Sequence, residues 1–196
     1  MKQLALYIAL ITAVIIGYVA PPATAFELKL PGAAAGDPIS GAAARAEKTG
    51  TNHKYVQVTF AEGADQCTVW ETELPLSYVG PTALNFSMRL VNSHTSSVSS
   101  GNIVVRVDVA CGSGLAPNFN WKTIAFDSGA NATISLPSST DEGELLGTAN
   151  GFGYTGIDET DCEPGEPIAI RACRLGTNGS DSYLQSVGLI HARLTD

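Results

Sequence analysis

"IVVRVDV", residues 103–109, repeats with a period of two: Ile103, Val105, Val107 and Val109 fall on one side of an extended chain, Arg106 and Asp108 on the other. Successive side chains of a strand point to opposite faces, so this stretch predicts a strand with one face in an apolar core and one toward water. The same alternation returns on both sides of it. "YVQVTF" (55–60) sets Val56, Val58 and Phe60 against Tyr55, Gln57 and Thr59, and "LNFSMRL" (84–90) sets Leu84, Phe86, Met88 and Leu90 against Asn85, Ser87 and Arg89. "ATISL" (132–136) groups Ala132, Ile134 and Leu136, and "PIAIRACRL" (167–175) groups Ile168, Ile170 and Ala172 with Arg171 opposite. Weaker alternation in "CTVWE" (67–71), "NWKTIAF" (120–126), "LLGTANGFGYTG" (145–156) and "YLQSVGLIHARL" (183–194) predicts further strands.

Clusters of turn formers separate these runs, notably "GSGLAPN" (112–118), "PSSTDEGE" (137–144) and "RLGTNGSDS" (174–182). No 3.6-residue period interrupts them. A series of short strands without helices predicts an all-β fold over residues 54–196, a two-sheet antiparallel β-sandwich of jelly-roll or Greek-key type. A chain of 196 residues has room for one such domain and its core.

Two segments precede it. Lys2 is followed by the apolar run "LALYIALITAVIIGYVA" (4–20), then by "PPATA" (21–25), in which Ala23-Thr24-Ala25 is an A-x-A site. This is the pattern of a secretory signal peptide, 1–25, cleaved before Phe26. The alternative is an uncleaved membrane anchor, because the run approaches the roughly 20 residues that span a bilayer. Residues 26–53 are Ala/Gly-rich with few large apolar residues after Leu30, and predict a linker or tether with a short helix over "GAAARAEK" (41–48). "FELKL" (26–30) alternates and suits an edge strand.

Export governs the cysteines. Cys67, Cys111, Cys162 and Cys173 are even in number, and no C-x-x-C occurs, so zinc and c-type haem are poorly served. In an oxidising compartment they predict two disulfides. Three pairings exist; the short loop between Cys162 and Cys173 favours that pair, leaving Cys67 with Cys111. The formal net charge is −8, and −9 once Lys2 leaves with the leader. No run of Lys or Arg exists, so nucleic acid is an unsuitable partner.

"GFGYTG" (151–156) spells the G-x-G-x-x-G of a dinucleotide-binding turn. That fingerprint works between a strand and a helix whose N-terminus holds the pyrophosphate. Here "IDETDCEPGEP" follows, with two prolines and five acids, which neither opens a helix nor attracts phosphate. The glycines and aromatics alternate instead, as a strand does.

The stretch "EPGEPIAIRACRLGTNGSDSYLQSVGLIHARL" (163–194) runs from a Pro-Gly-acid loop into a strand with alternating Ile and Arg. An Arg/Gly/Asn/Asp turn and a last strand complete it. With "LNFSMRLVN" (84–92), "GNIVVRVDVACGSG" (101–114) and "NWKTIAFDSG" (120–129), it resembles the small jelly-roll domains of bacteriophage virion surface and tail-appendage proteins of the receptor-binding type. The resemblance covers residues 66–196. It implies a non-enzymatic sandwich, prone to form homotrimers, that displays loops or packs into an assembly. Those domains usually lack an export signal and cysteine pairs. Both departures point to an envelope protein of a bacterium or archaeon, or to a virus with a membrane.

Few residues suggest chemistry. His53, His94 and His191 have no ligand spacing, and no G-x-S-x-G elbow supports a serine nucleophile. Asp158, Glu159, Asp161, Glu163 and Glu166 crowd one loop, and Asp141, Glu142 and Glu144 another; calcium is the one cofactor they suggest, although neither follows the EF-hand pattern. Glu71 and Asp108 are the carboxylates a glycan-active enzyme would use. Among Trp70, Trp121, Phe152 and Tyr154, Phe152 and Tyr154 are the candidates for stacking on a sugar, against the alternative that these rings fill the core. Sequons at Asn85, Asn131 and Asn178 are near chance for so Ser/Thr-rich a chain. The expected function is that of an exported, non-catalytic jelly-roll module for assembly or display on a virion or cell surface. The alternatives are a carbohydrate-binding sandwich and, after it, a small glycan-active enzyme. Expected partners are proteins, further copies of the chain or a glycan, with membrane contact only through an uncleaved leader.

Overall fold

The computed structural model describes residues 25–37, 40–80, 84–112, 125–147 and 151–196. The leader up to residue 24, Trp121 and most of "NWKTIAF" lie outside them. Eleven strands follow in chain order: β1 Glu27–Pro31, β2 Ala44–Thr49, β3 Lys54–Phe60, β4 Asp65–Glu73, β5 Asn85–Asn92, β6 Gly101–Cys111, β7 Ala132–Leu136, β8 Leu145–Leu146, β9 Phe152–Tyr154, β10 Pro167–Leu175 and β11 Val187–Thr195. One 3₁₀ turn, Gly32–Ala34, is the sole helical element among the described residues.

The strands form two antiparallel sheets. The seven-stranded sheet runs β2-β3-β11-β5-β8, with β1 beside β11 and β9 beside β5, and the four-stranded sheet runs β4-β10-β6-β7. The chain crosses between sheets at β3–β4, β4–β5, β5–β6, β7–β8, β9–β10 and β10–β11, which is jelly-roll winding. The apolar parity of each strand faces inward: Phe86, Leu90, Val107, Ile170, Leu189 and Leu194 are each at most 1% exposed and belong to one cluster. Burying each such side chain contributes about 1.5–3 kcal/mol, so the alternation itself drives the two sheets together.

One inward position on β10 is charged. Arg174 follows Ile168, Ile170 and Ala172 in parity and is 1% exposed. Its Nε donates to Asp181 Oδ2 at 2.9 Å and its Nη2 to Asp181 Oδ1 at 2.7 Å, while Nη1 donates to the Gln185 carbonyl at 2.7 Å. This fork fixes the β10–β11 connection across the open end of the sandwich.

The supposed linker is built into the fold. Leu28 and Leu30 of β1 sit opposite Leu194 and Ala192 of β11, and β2 pairs with β3 from Ala44↔Thr59 to Thr49↔Lys54. No helix forms over 41–48. A ladder on a sheet edge needs backbone donors and acceptors rather than apolar side chains, so a polar segment such as "ARAEKT" serves.

The cysteine pairing is also corrected. Cys67 is bonded to Cys173 and Cys111 to Cys162. Register decides this: Cys67 and Cys173 are directly opposite on β4 and β10, whereas loop length describes only the unfolded chain. Digestion without reduction should therefore release linked peptides Cys67/Cys173 and Cys111/Cys162. A Cys162/Cys173 peptide in native protein would contradict the register.

Candidate functional site

The exposed face of the seven-stranded sheet carries cations in opposition. Across β1, β11 and β5, one row reads Lys29↔Arg193↔Ser87 and the next Pro31↔His191↔Arg89. Odd-numbered residues of β1 and β5 face outward because Leu28, Leu30, Phe86 and Met88 face inward. On β11 a register shift between Leu189 and His191 puts His191 and Arg193 on that same outer face. Like charges directly opposite each other destabilise a sheet. Glu27 offsets part of this, its Oε2 lying 3.4 Å from Arg193 Nη1. The rows continue onto β9, where Gly153, opposite Ser87, has no neighbouring atom within 4 Å of where a Cβ would stand. The shelf is open at that end.

His191 reports the field on this face. Burial and then the nearby charges of Arg193 and Arg89 hold its imidazole below the ordinary value of 6.5, with Glu27 opposing and Lys29 adding to the shift. A base with a depressed folded pKa makes the native state bind protons less readily than the unfolded chain. Stability therefore falls as pH drops through 6.5, until the folded-state pKa is passed. An NMR titration should place the His191 midpoint below 6.5, and His191→Gln should flatten the acid limb of stability over that window. A midpoint at or above 6.5 would contradict the field described.

The outer face of the four-stranded sheet is sealed instead. Asp108 is fully buried although it points away from the core. Its Oδ2 accepts from Arg171 Nε at 3.0 Å and Nη2 at 2.8 Å; its Oδ1 accepts from Gly129 N at 3.2 Å and lies 2.8 Å from Arg106 Nε. Arg171 also lies under the Phe126 ring, 4.3 Å from its centroid. Oδ1 thus pins the 125–131 segment to the sheet through Gly129, and Oδ2 holds the Arg171 guanidinium against Phe126, so Asp108 is not placed to move a substrate proton. Glu71 is exposed on β4 and is separated from Asp108 on β6 by the intervening strand β10. Asp108→Asn should cost about 2–3 kcal/mol in urea unfolding, less than the about 3–5 of a fully buried pair because both guanidiniums keep some solvent.

Among the described residues, the aromatic candidates Trp70, Phe152 and Tyr154 do not form a platform. Tyr154 is 2% exposed and faces the core; its hydroxyl donates to the Ala130 carbonyl and to Gly156 O at 3.1 Å, and burial pushes its phenol up from 10.0. Phe152 is half-buried against Gly147, whose φ is +102° and where an added Cβ would overlap the ring. Trp70 is buried and donates from Nε1 to Pro31 O at 3.0 Å. These rings fill space because their parity is that of the core.

The acidic runs are organised by their own backbone. Glu144 Oε2 accepts from Ser139 Oγ at 2.7 Å and Thr140 N at 2.9 Å; these bonds, with one to Asp141, hold its carboxyl below the usual value. Burial, with Asp161 and Asp158 nearby, raises Asp127, and burial raises Glu166. Among the described residues no group of three or more His, Cys, Asp or Glu side chains is arranged to hold a metal. His53 stacks on Tyr55, and His94 Nδ1 pairs with Ser96 Oγ at 2.8 Å.

No family model matches the sequence, and no curated protein matches it. Among solved structures, a family 11 carbohydrate-binding module from Clostridium thermocellum in complex with a β-1,3-1,4-mixed-linked tetrasaccharide is similar at a TM-score of 0.34 and 10% identity, over 90% of this chain and 91% of that one. VP1 of Trichodysplasia spinulosa-associated polyomavirus is similar at a TM-score of 0.24 and 10% identity, over 90% and 94%. Likeness at this level leaves the site to be argued from its own residues. The parity rule finds Lys29, Arg89, His191 and Arg193 once β1, β5 and β11 are known to be neighbours. Adjacency was the missing signal.

Proposed function

We propose that this chain is an exported, non-catalytic jelly-roll module, a structural or display component of a virion or cell envelope, that works through the cationic face of its seven-stranded sheet. One observation carries the reading: a protein with a net charge of −8 sets Lys29, Arg193 and Arg89 in adjacent rows on one outer face, with His191 between the two arginines. Lys29 and Arg193, directly opposite each other, repel in the isolated chain, and an acidic partner offsets that cost. A second copy offers such a partner. Asp158, Asp161 and Glu163 are exposed in the β9–β10 loop, at the end of the sandwich where Gly165 N donates to Leu74 O. Leu76, 86% exposed, and Val79, 53% exposed, stand beside it. Face against loop is a head-to-tail contact, which closes into rings such as trimers or continues into arrays.

Light scattering across protein concentration should show association at low salt that weakens as the Debye length shrinks from about 8 Å toward about 3 Å. Lys29→Glu with Arg193→Glu should abolish it with the fold intact by circular dichroism. A strict monomer at every concentration and salt would overturn this contact. The second reading, a carbohydrate-binding sandwich, is favoured by Asn85 and Ser87 beside the cations, an arrangement suited to an acidic polysaccharide. Binding of uronate or sulfated glycans that raises the His191 pKa, and that the same double variant loses, would select it over self-association.

A further inference from the structure

The sequence places the peptidase site between Ala25 and Phe26. Ala25 is exposed; Phe26, the next residue, is buried at 8% exposure, its ring meeting Tyr78 edge-on at 6.0 Å. β1 begins one residue later, at Glu27. The Phe26 backbone nitrogen donates to Asp196 Oδ1 at 2.8 Å. A single carboxylate from beyond the end of β11 thus meets the one nitrogen that cleavage would turn into an amine.

We infer that processing between Ala25 and Phe26 creates a structural ion pair, in which the new α-ammonium of Phe26 binds the Asp196 carboxylate and locks β1 onto β11. The inference rests on the export reading but not on the cationic face. In the cleavage, a signal peptidase breaks the Ala25 C–Phe26 N bond with one water. The hydroxyl goes to the Ala25 carboxylate and the hydrogen to the Phe26 nitrogen, which takes a further proton from solvent. The bond at 2.8 Å is already charge-assisted through its carboxylate acceptor, and cleavage adds a full positive charge on the donor, turning it into an ion pair. The Phe26 ring and its Tyr78 contact keep the ammonium against the carboxylate. Cleavage precedes the docking of β1, because Phe26, Glu27 and Leu28 are in strand or core positions in the folded chain and would not fit a peptidase cleft.

The pair changes the pH dependence of stability in a defined direction. An amine that gains a carboxylate has a folded pKa above its unfolded value of about 7.7–8.0. Its contribution is complete below that value and is lost as pH rises through the folded pKa. The other ionisable groups facing this corner are Glu27 and Lys29 on β1, Arg193 and His191 on β11, and the Tyr78 phenol. All are present with or without the amine, so they cancel in a comparison of N-terminal forms.

The test compares the chain beginning at Phe26, released from a fusion cut immediately before it, with the same chain N-acetylated and with Asp196→Asn in both forms. The free amine should raise Tm by about 2–4 °C near pH 6.5, the advantage should fade above about pH 9, and Asp196→Asn should remove it. Equal Tm profiles for the free and acetylated chains would overturn the ion pair. Separately, the mass of the exported protein should correspond to an N-terminus at Phe26. A mature protein that begins elsewhere would overturn the processing step while leaving the engineered pair measurable, so the two failures are distinguishable.

Discussion

The inward packing of β10 against β11 is the constraint from which the rest of this structure follows. Ile168 and Ile170 on one strand and Leu189 and Leu194 on the other are fully buried, and each strand is central in its own sheet. Because the side-chain period is two, fixing these residues inward commits every alternate residue outward. Arg171 and Cys173 on β10 owe their positions to that commitment; on β11 the register shift after Leu189 resets the phase, so that His191 and Arg193 alternate with the buried Ala192 and Leu194. The two outer faces are thus consequences of the core, yet they differ in kind. One closes over a carboxylate held by two guanidiniums, and the other leaves Lys29 exposed beside the Glu27–Arg193 pair.

That difference gives the molecule a polarity its net charge hides. On the four-stranded sheet, Asp108 neutralises part of the charge of Arg106 and Arg171, and the segment through Gly129 covers it. On the seven-stranded sheet, Glu27 is the acidic group paired with Arg193, and Lys29 lies exposed beside them. An acidic chain with its basic residues gathered on one face carries an uneven field, which favours one direction of approach for an acidic group over the others.

Much of this was legible in the residues. Strands β3, β5, β6, β7 and β10 follow from alternation, and the jelly-roll class follows from their number and spacing. Strand β2 was not legible, because "ARAEKT" buries little and forms through its hydrogen bonds to β3. The cysteine pairing was misjudged by weighing loop length. Parity held the better signal, since Cys67 is out of phase with Trp70, and Cys173 out of phase with Ile170, so both point outward on their strands. Parity likewise places Arg174 inside, but Asp181 as its partner emerges only from the turn geometry. Of the site, the individual cations are plain in the sequence, while their adjacency needs β1 and β5 to flank β11, a long-range fact that no local pattern carries.

The small residues of the segment between β1 and β2 have a further effect. Gly36 bridges to Val69 and Ala42 to Cys67, so this segment runs along the outer side of β4 and occupies backbone groups that would otherwise face water. At the far side of the other sheet, β2 shows a neighbouring chain Arg45, Glu47 and Lys48. A bare strand margin invites another chain to zip alongside it, the first step of fibril growth. Both of these margins of the sandwich are thereby guarded against runaway lateral stacking.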